Sequence, residues 1–409
     1  MKKSVFVVSE LYYPEDTSTG YFMKGIAEGL AQSQSVQVLC SQPTYSARGL
    51  RAPHREIHNS VRILRCWSTT LKKDILPFRI LNLLTFSLTA FLAALRRVRA
   101  GDYVLVVTNP PLLPFMMAAV TRFRRANLLL LIHDVYPEVL VATGILRQRM
   151  LLTYVINLLV RSLFRFSKRI IVLGRDMQIL VQSKFENGDP PVVIIPNWAD
   201  ISVILPQKRS VNTLLRAQGL ESKFVVQYSG NIGRTHGLEV ILECARSLKD
   251  HSKIHFLFIG RGGKKYILER TVQKQQLTNV TVLDYVPRDQ LAISLNACDI
   301  AIISLIPGMT GVSVPSRMYN VMAAGKPIIA VADSESELAR VIREEEIGWV
   351  IYPEDTDGLR MAILEARTDP VRLAQMGLRA RCAAETKYSF ERVSKAYKDM
   401  ISTLLDEVA

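Results

Sequence analysis

The chain has 409 residues, 49% of them hydrophobic and 22% charged, which excludes a small disulfide scaffold and a disordered polyelectrolyte. Single cores stop growing near about 250–300 residues, so two globular domains are expected. Fifty-two Lys and Arg against 37 Asp and Glu give a net charge of +15. Residues 1–200 hold 25 basic against 13 acidic side chains and the remainder 27 against 24, so the basic character belongs to the first half.

Within that half, residues 72–175 carry 16 basic and only 4 acidic side chains, alternating with apolar runs at 128–132 and 151–159. This pairing of charge with apolar surface suits an anionic membrane better than a nucleic acid, which meets basic patches bearing polar and stacking residues. The plain alternative is a soluble protein that is merely basic. The five cysteines (40, 66, 244, 298 and 382) include no C-x-x-C pair, which argues against a disulfide framework and a structural zinc site and fits a reducing cytosol.

In chain order, the apolar run at 5–8 is too short for a signal-peptide core and reads as a first buried strand. A polar loop, 13–20, follows. It ends at Gly20 and opens a helix from about Tyr21, offering backbone N–H groups to an anion. Residues 75–95 are long enough to cross a bilayer, but Asn82, Thr85, Ser87 and Thr89 interrupt them and Arg96, Arg97 and Arg99 follow. A buried or surface-lying helix ranks ahead of a spanning one.

Further strands are expected at 36–39, 103–107, 128–132, 170–173 and 192–195, then, past a linker around 206–209, at 224–228, 254–259, 280–282, 300–304, 327–331 and 348–351. Short apolar runs alternating with helices imply two doubly wound α/β units, 1–200 and 201–388, facing a cleft. Ligands of such sheets bind outside the carboxyl ends of the strands. A last helix from Ser389 to the C-terminus shows apolar residues at 390, 393, 397, 400, 401 and 404, one stripe that must pack on something.

Two loops in the second half carry chemistry. Tyr228-Ser229-Gly230-Asn231-Ile232-Gly233-Arg234-Thr235-His236-Gly237 follows a strand; its glycines let backbone approach a phosphate, and Arg234 supplies a bidentate charge. It is neither G-x-G-x-x-G nor a P-loop, so dinucleotide and nucleoside-triphosphate readings are demoted. An ordinary tight turn with a solvated Arg is the alternative. The second stretch, 311–330, places Pro315 at a helix start, Ser313 as its cap and Gly325 as its left-handed stop. The result is a ten-residue helix whose N–H groups, with Ser316 and Arg317, are suited to a diphosphate.

At these residues the chain resembles the retaining GT-B glycosyltransferases of family four, in particular bacterial O-antigen and capsule enzymes that include the L-fucosamine (N-acetyl-fucosamine) transferases. The resemblance runs over the whole chain and rests on YYPEDTSTG near the start, IHDVYPE at 132–138, IPNWAD at 195–200, YSGNIGRTHGLE at 228–239, NVTVLDYVPRDQL at 279–291 and VPSRMYNVMAAGKPIIA at 314–330. It implies a nucleotide-sugar donor, UDP-linked, on the second domain, an acceptor on the first, a last helix crossing back to the first domain, and transfer without a metal ion or other cofactor. Asp355-Thr356-Asp357 is the sole D-x-D match and reads as a helix cap.

Two departures stand out. The family's E-x7-E glutamates would fall at Val312 and Asn320, leaving Asn320 to bind without charge, and the usual Arg and Lys of the phosphate loop would fall near Asn231 and His236, leaving Arg234 as the charge partner. The resemblance places His133, Asp134 and Glu138 on the acceptor side. His133 or Asp134, at the carboxyl end of LLLLIHD, suits orienting or deprotonating the acceptor hydroxyl, though Asp134 as a simple turn cap competes. Tyr285 and Val286 are placed at the nucleotide base and Arg261 on a loop beside it; packing for Tyr285, a solvated charge for Arg261 and a surface position for His236 are the alternatives.

The expected activity is sugar transfer to an undecaprenyl-diphosphate-linked acceptor by a cytoplasmic protein peripherally bound to the inner face of the bacterial inner membrane. Rival readings are a UDP-sugar 2-epimerase of the same fold, a non-catalytic membrane-docked partner that binds sugar nucleotides, and a nucleic-acid binder, the last disfavoured.

Overall fold

A computed structural model describes residues 3–43, 49–71, 75–185 and 190–407; Lys72, Lys73 and the first two residues lie outside these. Two compact units result, one of Met1–Pro137, Arg147–Pro196 and Glu391–Ala409, the other of Glu138–Leu146 and Asn197–Phe390.

The first unit is built on strands β1 (Ser4–Val8), β2 (Ser35–Cys40), β3 (Arg55–His58), β4 (Val61–Arg65), β5 (Tyr103–Val107), β6 (Asn127–Leu131), β7 (Arg169–Val172) and β8 (Val192–Ile194), in the order β3-β4-β2-β1-β5-β6-β7-β8. All neighbours run parallel except β3 and β4. The central strands are continuous apolar runs because helices cover both faces: every residue of β5 is buried, as are the last four of β6. The chain order reverses between β1 and β5, the topological switch point outside which open parallel sheets bind ligands.

The hairpin β3–β4 is an addition to the expected strands. Its two-residue turn, Asn59-Ser60, holds positive φ at both positions (45° and 64°), the geometry that matches strand twist in tight hairpins. At the end of β4 the Arg65 side chain is enclosed, donating Nη1 to the Pro53 carbonyl (2.7 Å) and Nη2 to that of Tyr13 (2.9 Å) while pairing with Glu56. The hairpin thereby clamps the loop after β1. A buried charge persists only when paired in this way.

The C-terminal helix Phe390–Asp406 buries Val393, Tyr397, Ile401 and Leu404, the stripe seen in the sequence. The Tyr103 hydroxyl donates to the Leu404 carbonyl at 2.7 Å, and Glu407 pairs with Lys168 and Arg169, so the helix is fastened to the first unit's sheet.

The second unit holds β9 (Phe224–Asn231), β10 (Ile254–Arg261), β11 (Val280–Leu283), β12 (Ile300–Ser304), β13 (Ile328–Val331) and β14 (Gly348–Ile351), all parallel in the order β11-β10-β9-β12-β13-β14. Counted from β9 this is 3-2-1-4-5-6, the dinucleotide-fold order, with its switch point between β9 and β12. The stretch expected as a linker is anchored instead: Arg209 grips both oxygens of Asp299 (2.8 and 2.7 Å), and Asp299 in turn accepts from the Val225 amide. A single nitrogen, Nη1, reaches both oxygens, while Nη2 donates to the Leu220 carbonyl (2.7 Å) and Nε to that of Glu221 (3.1 Å), so this charge-assisted pair is fixed on both sides.

Candidate functional site

The loops after β9, β10, β11 and β12 converge at the carboxyl edge of the second sheet. The first two interlock through glycine. Gly230 and Gly260 have φ of 137° and 157°, and a Cβ on Gly260 would collide with the Gly230 carbonyl, so no side chain fits where the two backbones meet. The Ile232 amide donates to the Arg261 carbonyl (2.9 Å), and the Lys264 amide donates back to Ile232 (3.0 Å). Gly233 sits tightly against the Asn231 side chain, while Asn231 itself faces solvent with its carbonyl accepting from the Tyr228 hydroxyl at 2.6 Å.

The helix expected over ten residues is shorter. It runs Arg317–Ala323, with Ser316 at the N-cap in a helical conformation; Ser313 does not cap it, and Pro315 only accepts the turn that precedes it, from the Met318 amide. Its end is as anticipated: Gly325 at φ 65° lets the Gly325 and Lys326 amides close on Met322 and Val321. This start places Arg317 in the first turn, against the glycine loop.

The Arg317 guanidinium lies 4.8 Å over the Tyr228 ring, and a Cβ on Gly230 would come within 3.1 Å of it. It donates to the Ser229 carbonyl (3.4 Å) and to His236 Nε2 (2.9 Å). His236 is buried, not a surface residue, with Nδ1 3.1 Å from the Ser304 carbonyl. Burial and the neighbouring Arg317 push its pKa well below the usual range, so the ring is neutral. Ser304 also donates its hydroxyl to the Gly237 carbonyl (2.7 Å), and the Ile306 amide donates to Thr235, so the loop after β12 fixes the loop after β9.

Arg234 is exposed on the same loop. Arg261 sits 4.5 Å over the ring of Tyr285, itself 38% exposed, with Val286 half-buried beside it. Among the described residues Arg234, Arg261 and Arg317 have no carboxylate partner, whereas nearby Lys264 and Lys265 pair with Glu239 and Asp284. Three guanidinium groups without a carboxylate partner at the carboxyl edge of one sheet are chemically suited to an anion. Asn320 accepts through Oδ1 from the Asp200 amide (3.4 Å), which joins the IPNWAD segment to this helix. Asp355 caps the helix Thr356–Thr368 by accepting from Gly358, the role its sequence indicated.

In the first unit, the loop after β1 ends at helix Ser18–Ala31, which starts three residues earlier than its sequence suggested. Thr17 caps it by accepting from the Gly20 amide (3.2 Å), so this N–H, expected to be open to an anion, is already used. A Cβ on Gly20 would lie 2.6 Å from the Glu15 carbonyl, which accounts for the glycine. His133 and Asp134 come together just past β6, where the Thr108 hydroxyl accepts both their amides (3.1 and 3.4 Å). His133 Nε2 is buried without a hydrogen-bond partner among the described residues. Burial lowers His133 to about 4 and raises Asp134 to about 6, so a neutral imidazole adjoins a carboxyl group that titrates near neutrality. Glu138 begins the short helix Glu138–Ala142 and groups with the second unit.

Thr108 and Ser304 were not singled out in the sequence, and Tyr228 was quoted there only as the first residue of its loop, with no role. Each is a polar residue in or just past the end of a buried strand, and that position was the available signal.

Comparison with known proteins bears on both units. Residues 212–387 match the family of glycosyl transferases group 1, and residues 19–198 match the glycosyl transferase 4-like domain. The probable glycosyltransferase WbjE of Pseudomonas aeruginosa is 34% identical over 66% of this chain and 67% of its own. The protein named putative colanic acid biosynthesis glycosyl transferase WcaI, of Escherichia coli (strain K12), is 25% identical over 87% of this chain and 90% of its own. The fold is shared with HepE of Anabaena, solved in complex with UDP, at a TM-score of 0.71 and 14% identity, covering 98% of this chain and 100% of that one.

Proposed function

Because the chain belongs to the glycosyl transferases of group 1, enzymes of the GT-B fold, we propose that it moves a sugar from a UDP-linked donor onto a lipid-linked acceptor in O-antigen or capsule synthesis. The observation that carries this reading is the trio of guanidinium groups without a carboxylate partner, Arg234, Arg261 and Arg317, at the carboxyl ends of β9, β10 and β12 in the second sheet. A leaving diphosphate gains negative charge as the glycosidic bond breaks, and preorganised cations stabilise that charge without a metal ion. The UDP in the HepE structure and the polysaccharide role in the WcaI name support the donor and the pathway class. On the acceptor side, Asp134 and His133 are suited to orient the attacking hydroxyl. Resemblance to fucosamine transferases favours N-acetyl-L-fucosamine as the sugar, with retention of configuration.

The test is to incubate the purified protein with UDP-N-acetyl-fucosamine and related UDP-sugars, with and without an undecaprenyl-diphosphate-linked saccharide, and to follow lipid product and UDP. Transfer that requires the acceptor is expected. Conversion of the UDP-sugar into an isomer without acceptor would overturn it in favour of an epimerase.

The acceptor's lipid gives the basic apolar surface of the first unit a use. Helix Leu76–Arg97 is long and apolar enough to cross a bilayer. Its interrupting polar residues, however, are spent on the protein: Asn82 bonds both backbone groups of Leu71, Thr85 takes the Thr69 amide and Thr89 donates to the Trp67 carbonyl. Phe86, Ala90 and Ala94 continue this docked side, while Ile80, Leu84, Leu88 and Leu92 remain 40–53% exposed. Helix Leu151–Phe166 exposes Leu151, Leu158 and Leu159 likewise, and helix Leu113–Arg124 packs against both. Such an amphipathic surface flanked by arginines lies on an anionic bilayer. Vesicles containing anionic lipid are expected to bind the protein, to release it in high salt, and to bind the Leu84→Asp, Leu88→Asp double variant about tenfold more weakly, from the apolar area lost. Retention through high salt and alkaline washing would indicate a span instead.

A further inference from the structure

The position where the phosphate loop brings a histidine is not aimed at a ligand but at Arg317. His236 sits between two groups of fixed polarity: the Ser304 carbonyl, which only accepts, lies 3.1 Å from Nδ1, and the Arg317 guanidinium, which only donates, lies 2.9 Å from Nε2. One tautomer satisfies both, the neutral ring with hydrogen on Nδ1. Arg317 is thus held by an imidazole lone pair, a carbonyl oxygen and an aromatic face, none of which neutralises its charge.

Resting on the UDP-sugar reading above, we infer that His236 is a positioning residue: it orients Arg317 toward the donor's diphosphate through a neutral acceptor, so that the guanidinium is immobilised yet keeps its full charge for the ligand. A carboxylate at this place would fix the arginine equally well but would compete with the phosphates for it. A lysine or protonated histidine would push it away. A neutral acceptor, itself anchored on Ser304 at the end of β12, avoids both faults, and the anchor ties the arginine's orientation to the strand that borders the switch point.

Two substitutions separate this role from simple packing. His236→Asn retains a donor toward Ser304 but withdraws the acceptor from Arg317, whereas His236→Gln carries a carbonyl oxygen to about the reach of Nε2. Binding of UDP and of UMP is measured by calorimetry on the full-length protein, with the melting temperature recorded for each variant. Wild type is expected to prefer UDP. In the Asn variant the UDP-over-UMP preference should shrink about tenfold, the scale of one charge-assisted hydrogen bond, and in the Gln variant most of it should return. With UDP-sugar, the Asn variant should lose more in kcat than it gains in donor KM. An unchanged preference in the Asn variant, or equal losses in Asn and Gln accompanied by equal drops in melting temperature, would overturn the positioning role. Wild type with no preference for UDP would instead remove the donor reading on which it rests.

Discussion

Arg317→Ala is expected to slow sugar transfer about 10²–10³-fold, the usual effect of removing one preorganised donor from a site of developing negative charge. Arg234→Ala should cost only about tenfold. The two differ in order rather than in charge. Arg317 is seated over Tyr228 and bonded to Ser229 and His236, so little reorganisation is needed when the diphosphate leaves. Arg234 is an exposed side chain that must surrender rotamer freedom, about 2 kcal/mol for an arginine, to make the same contact. Initial rates with saturating acceptor and varied donor distinguish them. A full rate for Arg317→Ala, with a large loss for Arg234→Ala, would move the role to the exposed residue.

Asp134→Asn is expected to reduce kcat about 10²–10⁴-fold, the range for a positioned acid or base. The pH profile is the sharper signature. Burial lifts the Asp134 carboxyl from 3.8 to about 6, so the carboxylate forms only above that pH, and the wild-type rate should climb through about pH 6 before levelling. His133, lowered to about 4, is already neutral there and adds no limb of its own. The variant's residual rate should lack the rise.

Stability follows the same groups with opposite signs. A raised carboxyl pKa means that the folded state binds the proton more tightly, so the Asp134 contribution is greatest below 3.8 and is lost as pH rises to about 6. A lowered imidazole pKa means the reverse, a gain in stability between about 4 and 6.5 from His133. The two nearly cancel in the wild type. In Asp134→Asn the His133 gain is unmasked, and chemical unfolding midpoints should increase between pH 4 and 6.5 more steeply than in the unmodified protein. Parallel curves would place the shifted groups elsewhere.

Much of this molecule is readable without coordinates. A strand such as YVLVV at 103–107 is apolar at every position because both of its faces are covered, and that pattern depends on nothing distant. Gly325 announces a helix end through a conformation other residues resist. The stripe of the final helix survives because its period is intrinsic to the helix. The hairpin at 55–65 is hard to read in the sequence because its first strand, Arg55–His58, is a charged edge strand with no buried face to write an apolar pattern; its signal was the Asn59-Ser60 turn and the short alternation of Val61 and Ile63 in the second strand.

Sequence by itself determined the two doubly wound units, the glycine-bearing loops at their strand ends and the residue types within them, since these follow from local periodicity and backbone permission. Which arginine is fixed and which is free was decided only by tertiary structure. Whether a guanidinium is held depends on partners 81 and 88 residues away in the chain, His236 and Ser229, and no spacing rule records such a pairing. The same holds for His236, whose burial and tautomer are set by the carbonyl of Ser304, and for Asp134, whose titration depends on how much water the fold leaves around it. Local chemistry names the candidates; long-range packing assigns their charge, orientation and reach.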